Sequence, residues 1–202
     1  MPRDKSASHV RIMAAAREEF MEYGFEQASM RRVGERCGMT AAAIYRHCRD
    51  KADLFDQLVA PAVERLDAWL DAHVHRYVDA VQADRAVRWN DSEIDMMRTV
   101  VYPRMDDYRL LLTRAQGTKY EHFLHDLTKA SQAQMLRYLP LLKAQGLAVR
   151  EVLPRELHLL LSAYTTALFE PVIHSYPLDE ALNCLDLIEA FFLPGWKALL
   201  GF

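Results

Sequence analysis

Apolar residues recur at helical spacing along most of the chain, and this pattern predicts a protein built from α-helices. No stretch shows the sustained alternation of apolar and polar residues that is typical of a half-buried strand. The chain has only seven glycines in 202 residues, so positions that break helices are sparse. The pattern therefore predicts an all-α fold of about nine helices.

The first predicted helix covers residues 8–23. Ile12 and Phe20 fall on its inward stripe, whereas Glu19 and its neighbouring glutamates are expected on the outer side. This helix is expected to support the two shorter helices that follow it, and to form a three-helix module with them.

Two short helices joined by a tight turn are predicted between Ser29 and Lys51. Gly38 suits the left-handed conformation that ends a helix, and Thr40 suits the cap at the start of the next one. The three alanines after Thr40 give the second helix a surface with almost no side-chain bulk. This arrangement is typical of a helix-turn-helix unit, whose second helix enters the major groove. An ordinary helical hairpin inside a core is the alternative.

Several short motifs occur in a fixed order in this part of the chain. They are Tyr23-Gly24-Phe25, Ser29-Met30-Arg31, Thr40, Ile44-Tyr45-Arg46-His47, Asp50-Lys51 and Leu54-Phe55. In this order they resemble the N-terminal signature of the TetR (tetracycline-repressor) family of bacterial regulators, over residues 9–58. The family usually has Phe where Cys48 stands and a larger residue where Gly34 stands, so a smaller local core is expected here.

The resemblance implies a DNA-binding transcriptional regulator, most often a repressor that a small-molecule effector releases from its operator. The operator would be pseudo-palindromic double-stranded DNA. Within the helix-turn-helix unit, phosphate contacts are expected from Ser29, Tyr45, His47 and Lys51. Base-edge contacts are expected from Arg31, Arg46 and the alanine surface. The candidate DNA-binding residues are Ser29, Arg31, Thr40, Ala41, Ala42, Ala43, Tyr45, Arg46, His47 and Lys51.

The charge distribution supports a basic module on an acidic body. Residues 1–51 contain ten Lys and Arg against seven Asp and Glu, whereas the rest of the chain contains 15 against 21. An excess of positive charge at one end is a modest indication of nucleic-acid binding. We therefore expect a DNA-binding domain over residues 1–50 and a helical effector-binding and dimerisation domain over residues 51–202.

The second domain is predicted to begin with a long helix from Lys51 to about Val81, kinked near Leu58 by Pro61. Residues 82–93 are expected to form a loop. Further helices are predicted over residues 92–102, 106–116, 120–143, 154–174 and 178–200.

The last two predicted helices are apolar on more than one side, and each such side must be covered. A homodimer in which these helices pair as a four-helix interface would cover them, and the resemblance implies the same arrangement. We expect Leu185, Ile188 and Phe192 in the interface. Leu187 and Phe191 form a second apolar stripe on the last helix.

An effector pocket is implied by the resemblance, and aromatic walls with one cation would suit an apolar effector that carries an acidic group. The same residues can also be ordinary core, and Arg98 can be a surface side chain. The candidate effector-binding residues are Arg98, Tyr102, Tyr120, Tyr164 and Phe169.

Two other classes of protein remain open, an all-α enzyme and a helical module that binds proteins but not DNA. No nucleophile-base constellation, P-loop or dinucleotide fingerprint is visible in the sequence, so we expect no catalytic activity and no cofactor. His122 and His125 lack the further ligands that a metal site needs, so no metal is expected.

The remaining features indicate where the protein functions. Cys37, Cys48 and Cys184 do not form a disulfide pattern, although the first two flank the predicted recognition helix and could form a thiol switch. No apolar run is long enough to span a membrane, and the N-terminus has no signal-peptide core. We therefore expect a soluble cytoplasmic protein without membrane contacts.

Overall fold

The computed structural model describes the backbone of residues 5–82, 90–144 and 146–201, and the side chains of residues 6–72, 93–144 and 146–201. All regular structure in these ranges is helical, which confirms the predicted all-α fold. A π-helical turn (Met97–Val101) and a 3₁₀ turn (Tyr102–Arg104) lie between α5 and α6. The α-helices are α1 (Lys5–Gln27), α2 (Met30–Cys37), α3 (Ala41–Ile44), α4 (Lys51–Gln82), α5 (Asn90–Met96), α6 (Met105–Thr113), α7 (Phe123–Ala144), α8 (Pro154–Ile173) and α9 (Leu178–Leu200).

The helix boundaries agree best with the predicted ones at the end of the chain. Helix α9 has the predicted bounds, and α8 ends one residue before the predicted His174. Helix α4 continues past Pro61 to Gln82, and the kink at this proline stays a prediction. Most of the loop predicted over residues 82–93 lies outside the described residues.

The backbone divides into two compact units. The first contains Met1–Glu64 and Arg104–Glu121, and the second contains Arg65–Pro103 and His122–Phe202. Helix α6 therefore belongs to the first unit, although it follows α5 in sequence. The division between the two units falls inside α4, between Glu64 and Arg65, and not at the predicted domain boundary after residue 50. A functional boundary at that residue stays a prediction.

Aromatic side chains form the core of the first unit. Phe20 on α1 and Phe55 on α4 are both almost fully buried, and their rings meet edge to face with centroids 5.1 Å apart. Phe25 adds a second edge-to-face contact to Phe55 at 5.5 Å. These contacts fix α4 against α1, because such ring pairs are directional as well as apolar.

Helix α6 is joined to this core by polar contacts. The buried hydroxyl of Tyr108 donates a hydrogen bond to the carbonyl oxygen of Ala62 on α4, at 2.8 Å. Asp107 is 2% exposed and accepts hydrogen bonds from Arg17 on α1 at 2.6 Å and from Arg104 at 2.8 Å. A buried carboxylate with two guanidinium partners is well compensated, so α6 is a fixed part of the unit.

The second unit is held together mainly by α7, α8 and α9. Leu157 and Leu161 of α8 form a buried cluster with Trp196 of α9. Leu142 of α7 and Leu200 of α9 form a second buried cluster with Val149, which lies between α7 and α8. Each of these three helices therefore buries one apolar stripe against the other helices of the same chain.

Candidate DNA-binding interface

Helix α2 begins at a well-defined cap. Ser29 has extended backbone angles (φ −125°, ψ 125°), and the chain becomes helical at Met30. Met30, Val33 and Cys37 are buried at helical spacing, as their pattern predicts. This stripe packs α2 onto the rest of the unit and leaves its opposite side exposed.

The turn between α2 and α3 depends on two glycines. Gly38 ends α2 in the left-handed region with φ 66°, where glycine carries no steric penalty. Gly34 is buried inside α2, and a Cβ at this position would lie 2.6 Å from the carbonyl oxygen of Met39. The expectation of a smaller local core at Gly34 is therefore wrong, since backbone already fills the space that a side chain would occupy.

Helix α3 is shorter than the predicted second helix. Thr40 caps it through its hydroxyl oxygen, which accepts a hydrogen bond from the amide of Ala43 at 3.2 Å. After Ile44 the backbone tightens, and the amide of His47 donates to the carbonyl oxygen of Ile44 at 2.7 Å. The residues of the recognition segment therefore lie partly on one α-helical turn and partly on a tighter turn that continues it.

The predicted DNA-contacting side chains lie on the outside of this segment. Ile44 and Cys48 are buried beneath it, while Ala42 is exposed and Tyr45 is 50% exposed. Ala41, Ala43 and His47 are half-buried, and Thr40 and Arg46 are exposed. The outer surface of the recognition segment therefore combines the very small side chains of α3 with the exposed cation Arg46 in the turn that follows.

Arg31 on α2 is one of the exposed predicted cations. Its side chain is 84% exposed, and its Nε lies 3.1 Å from a carboxylate oxygen of Glu35 one turn later. An exposed pair of this kind contributes little to stability, so the guanidinium can exchange its partner at small cost. Ser29, in contrast, is half-buried at the cap of the same helix.

Lys51 at the start of α4 already has hydrogen-bonding partners within the protein, which is not expected of a side chain that only contacts phosphates. Its ammonium donates hydrogen bonds to the carbonyl oxygens of Glu26 at 3.0 Å and Ala28 at 3.2 Å, and it lies 4.6 Å from the ring centroid of Phe25. Burial lowers the pKa of this ammonium. Lys51 therefore fastens the start of α4 to the link between α1 and α2.

A buried carboxylate between α1 and α2 was not anticipated from the sequence. Glu19 is 0% exposed, so the expectation that it lies on the outer side of α1 is wrong. Its Oε1 accepts hydrogen bonds from the amide of Ser29 at 2.9 Å and from Nε of Arg32 at 2.6 Å, and its Oε2 accepts from Nε of Arg36 at 3.3 Å. The signal in the sequence is the pair of arginines four residues apart, which places two cations on one side of α2.

The comparisons with known proteins agree with this geometry. Residues 12–58 match the family described as bacterial regulatory proteins, TetR family. The chain is also 40% identical over 63 residues to the HTH-type transcriptional repressor Rv1474c of Mycobacterium tuberculosis, a stretch that covers 31% of this chain and 34% of that protein. The N-terminal part of the chain, residues 12–58, is therefore similar to TetR-family regulators.

The matched part of the chain spans about a third of the length of this curated relative. Its fold is similar to the crystal structure of NalD, the secondary repressor of the MexAB-OprM multidrug efflux pump in Pseudomonas aeruginosa. That similarity has a TM-score of 0.54 at 17% identity, and it covers 93% of this chain and 97% of NalD. The family is one of DNA-binding transcriptional regulators and not of enzymes.

The predicted effector-binding residues belong to different compact units of the chain. Tyr120 belongs to the first unit, where its hydroxyl donates a hydrogen bond to Asp56 and burial raises its pKa to about 12. Arg98, on the π-helical turn, is exposed. Its assignment as the cation of an effector pocket, and the acidic effector that this assignment implied, stay predictions.

The other three effector candidates lie in the second unit and are wholly or partly buried. Tyr164 donates a hydrogen bond to Glu93 at 2.9 Å, and burial raises its pKa. The hydroxyl of Tyr102 donates to the carbonyl oxygen of Tyr176 at 3.0 Å. Phe169 is 1% exposed and meets Phe123 edge to face, so its ring is part of the core.

The predicted dimer residues need one correction. Leu185 is 1% exposed within a single subunit, so it is a core residue and cannot contact a second subunit directly. Ile188 and Phe192 are half-buried. The exposed stripe of α9 is the other one, with Leu187 at 73% and Phe191 at 77% exposure.

The described cysteines are free, and Cys37 and Cys48 flank the recognition segment. Cys37 and Cys48 are buried free thiols, and burial raises the pKa of Cys48 to about 11, which disfavours the reactive thiolate. In the part of the chain that the structure describes, no three metal-ligating side chains converge. No described helix combines the length and apolarity needed to cross a membrane.

Proposed function

We propose that this protein is a dimeric DNA-binding transcriptional regulator that represses transcription by holding α3 in the major groove of its operator. The observation that carries the proposal is the outer surface of α3. Its exposed Ala42 and half-buried flanking alanines present almost no side-chain bulk, while the buried Ile44 and Cys48 anchor the segment from below. A helix that must lie deep in a groove about 12 Å wide needs small side chains on its outer side.

The contacts to DNA follow from the positions of the side chains. Arg46 and Arg31 would contact base edges at either side of the alanine surface, and guanidinium groups can bind guanine through two hydrogen bonds. Ser29, Tyr45, His47 and Lys51 would contact phosphates and fix the register of α3. Thr40 would keep the first turn of α3 formed while these contacts are made.

The dimer would present two copies of α3 to two half-sites. Two-fold symmetric readers of this class bind half-sites about 34–36 Å apart, so the operator would be pseudo-palindromic. The exposed stripe with Leu187 and Phe191 on α9, together with Leu159 on α8 at 69% exposure, would supply the apolar contact. Apolar side chains this exposed in one subunit favour an interface over a free surface.

Repression is proposed because the relative from Mycobacterium tuberculosis is a transcriptional repressor. Release by a small-molecule effector is the finer part of the proposal. Tyr102 and Tyr164 remain candidates for contacts to such a molecule, because their phenol groups combine apolar rings with a hydrogen-bonding end. Such an effector would bind more tightly to a state of the dimer in which the two α3 helices are displaced from the DNA. It would then weaken DNA binding, and DNA would weaken effector binding by the same factor.

The test is binding of the full-length protein to its own upstream DNA, measured by fluorescence anisotropy against a scrambled duplex. Ala42→Leu should abolish operator binding without unfolding the protein, because leucine favours helices but blocks the approach to the groove. Ala14→Leu, at an exposed alanine of α1, is the matched control and should bind normally. If Ala42→Leu binds the operator as tightly as the control, α3 does not enter the groove.

A further inference from the structure

The contacts of Glu19 are unusual for a side chain in a small helical module. The carboxylate has no exposed surface, yet its hydrogen-bonding partners all come from α2 or from the cap of α2. One of them, the amide of Ser29, is a backbone group at the residue that begins α2. A single carboxylate on α1 therefore fixes both the start and the side of the first helix of the helix-turn-helix.

The two arginines that bind Glu19 are not themselves buried. Arg32 is 37% exposed and Arg36 is 29% exposed, so both guanidinium groups lie at the surface of the module while they face inward. Arg32 also donates to the carbonyl oxygen of Gln27 at 2.6 Å and lies over the ring of Tyr23 at 4.2 Å. Arg36 is held further by the carboxylates of Glu18 and Glu22.

These cations lie on the helix that crosses the DNA backbone in a helix-turn-helix complex. A guanidinium that reaches a phosphate increases affinity for every sequence equally, because phosphate contacts carry no sequence information. Arg31 on the same helix is 84% exposed and available, whereas Arg32 and Arg36 are held by carboxylates. The arrangement limits how many cations of α2 are free to meet DNA.

We propose that Glu19 is a specificity-determining positioning residue. It holds α2 against α1 and withholds Arg32 and Arg36 from phosphates, so that binding depends on α3 and the base edges it contacts. This inference rests on the proposed function as a DNA-binding regulator. It adds that Glu19, which does not contact DNA, contributes to the selectivity of DNA binding.

The experiment compares Glu19→Leu and Glu19→Gln with wild type in the full-length protein. Dissociation constants are measured by anisotropy for the operator and for a scrambled duplex of equal length, over a series of salt concentrations. Both variants should bind the scrambled duplex more tightly than wild type. The salt slope, that is, the slope of the logarithm of the affinity against the logarithm of the salt concentration, should become steeper by about 0.9 for each guanidinium that reaches a phosphate. The ratio of operator to scrambled affinity should fall by roughly tenfold in Glu19→Leu and by less in Glu19→Gln.

Two controls separate this role from a general change in charge or stability. Glu64→Gln removes one exposed carboxylate from the first unit and should leave both the ratio and the slope unchanged. Adding Arg32→Gln and Arg36→Gln to Glu19→Gln should return the salt slope to that of wild type. This triple variant keeps the test decisive if Glu19→Leu does not fold.

The outcomes distinguish this inference from the function on which it rests. If wild type does not discriminate between operator and scrambled DNA, the proposed function fails. If wild type discriminates and the Glu19 variants keep its ratio and slope, the function stands and this inference is overturned. Equal losses of affinity for both duplexes with an unchanged slope would also overturn it, because they indicate a purely structural role.

Discussion

Gly34 and Met39 approach each other so closely that no side chain fits between them. A Cβ on residue 34 would lie 2.6 Å from the carbonyl oxygen of Met39, and the amide of Met39 donates to the carbonyl oxygen of Gly34 at 2.9 Å. This contact closes the turn that orients α3 relative to α2. The first prediction concerns the consequence of filling it.

Gly34→Ala should destabilise the protein. Alanine in a helix gains about 0.8–1 kcal/mol over glycine, whereas overpacking against a fixed backbone costs about 1–3 kcal/mol. The net change in the free energy of unfolding should therefore be a loss of up to about 2 kcal/mol, measured by urea denaturation. Operator affinity should fall with it, because the turn must shift. A variant more stable than wild type would mean that the turn adjusts freely.

The second prediction concerns Lys51, whose ammonium already binds two carbonyl oxygens. If its remaining N–H also reaches a phosphate, Lys51→Ala should flatten the salt dependence of operator binding by about 0.9. The lost hydrogen bonds should also lower the free energy of unfolding, by about 1 kcal/mol for this partly buried group. Lys119→Ala is a suitable control in the same unit, since Lys119 pairs with Asp56 and is not proposed to contact DNA. If Lys51→Ala lowers the free energy of unfolding but leaves the salt dependence of operator binding unchanged, Lys51 has a structural role only.

The third prediction is that Phe191→Arg converts the dimer into a folded monomer. Phe191 is 77% exposed in one subunit, so arginine is accepted there without harm to the core but introduces a charge into the proposed interface. Leu185→Arg should instead unfold the subunit, because Leu185 is 1% exposed. Ultracentrifugation together with circular dichroism separates the two results.

Val10→Arg, at an apolar residue of α1 that is 64% exposed, should leave the sedimentation of wild type unchanged. A wild-type protein that sediments as a monomer at micromolar concentration would remove the basis for the proposed interface.

The fourth prediction concerns pH. Hydrogen bonds from Lys119 and then from Tyr120 hold the pKa of Asp56 below its ordinary value of 3.8. Because the folded pKa is depressed, the stabilisation by this carboxylate is present above the unfolded pKa and is lost as the pH falls through the folded pKa. Wild type should therefore be more stable than Asp56→Asn at neutral pH, and the difference should shrink below about pH 4.

A difference between wild type and Asp56→Asn that stays constant from neutral pH down to about pH 3 would contradict the fourth prediction.

The sequence by itself determined the helical fold, the TetR-like signature of the N-terminal part and most helix boundaries. These features follow from local information, such as the periodic apolar stripe of α9, the left-handed Gly38 and the capping Thr40. The helix-turn-helix was predictable for the same reason, because caps and turns depend on residues a few positions apart. The length of α3 was not predicted, because the helix gives way after Ile44 to a tighter turn, in which the amide of His47 donates to the carbonyl oxygen of Ile44.

Only the tertiary structure decided which side of an amphipathic segment is covered. Periodicity places Leu185 and Leu187 on different stripes of α9, but the neighbouring helices determine that Leu185 is buried and Leu187 is exposed. The same holds for Glu19, whose burial became possible because two arginines from α2 compensate its charge. Arg98 lacks such an inward position and lies outside. Burial depends on partners that are distant in sequence, and a local pattern contains no information about them.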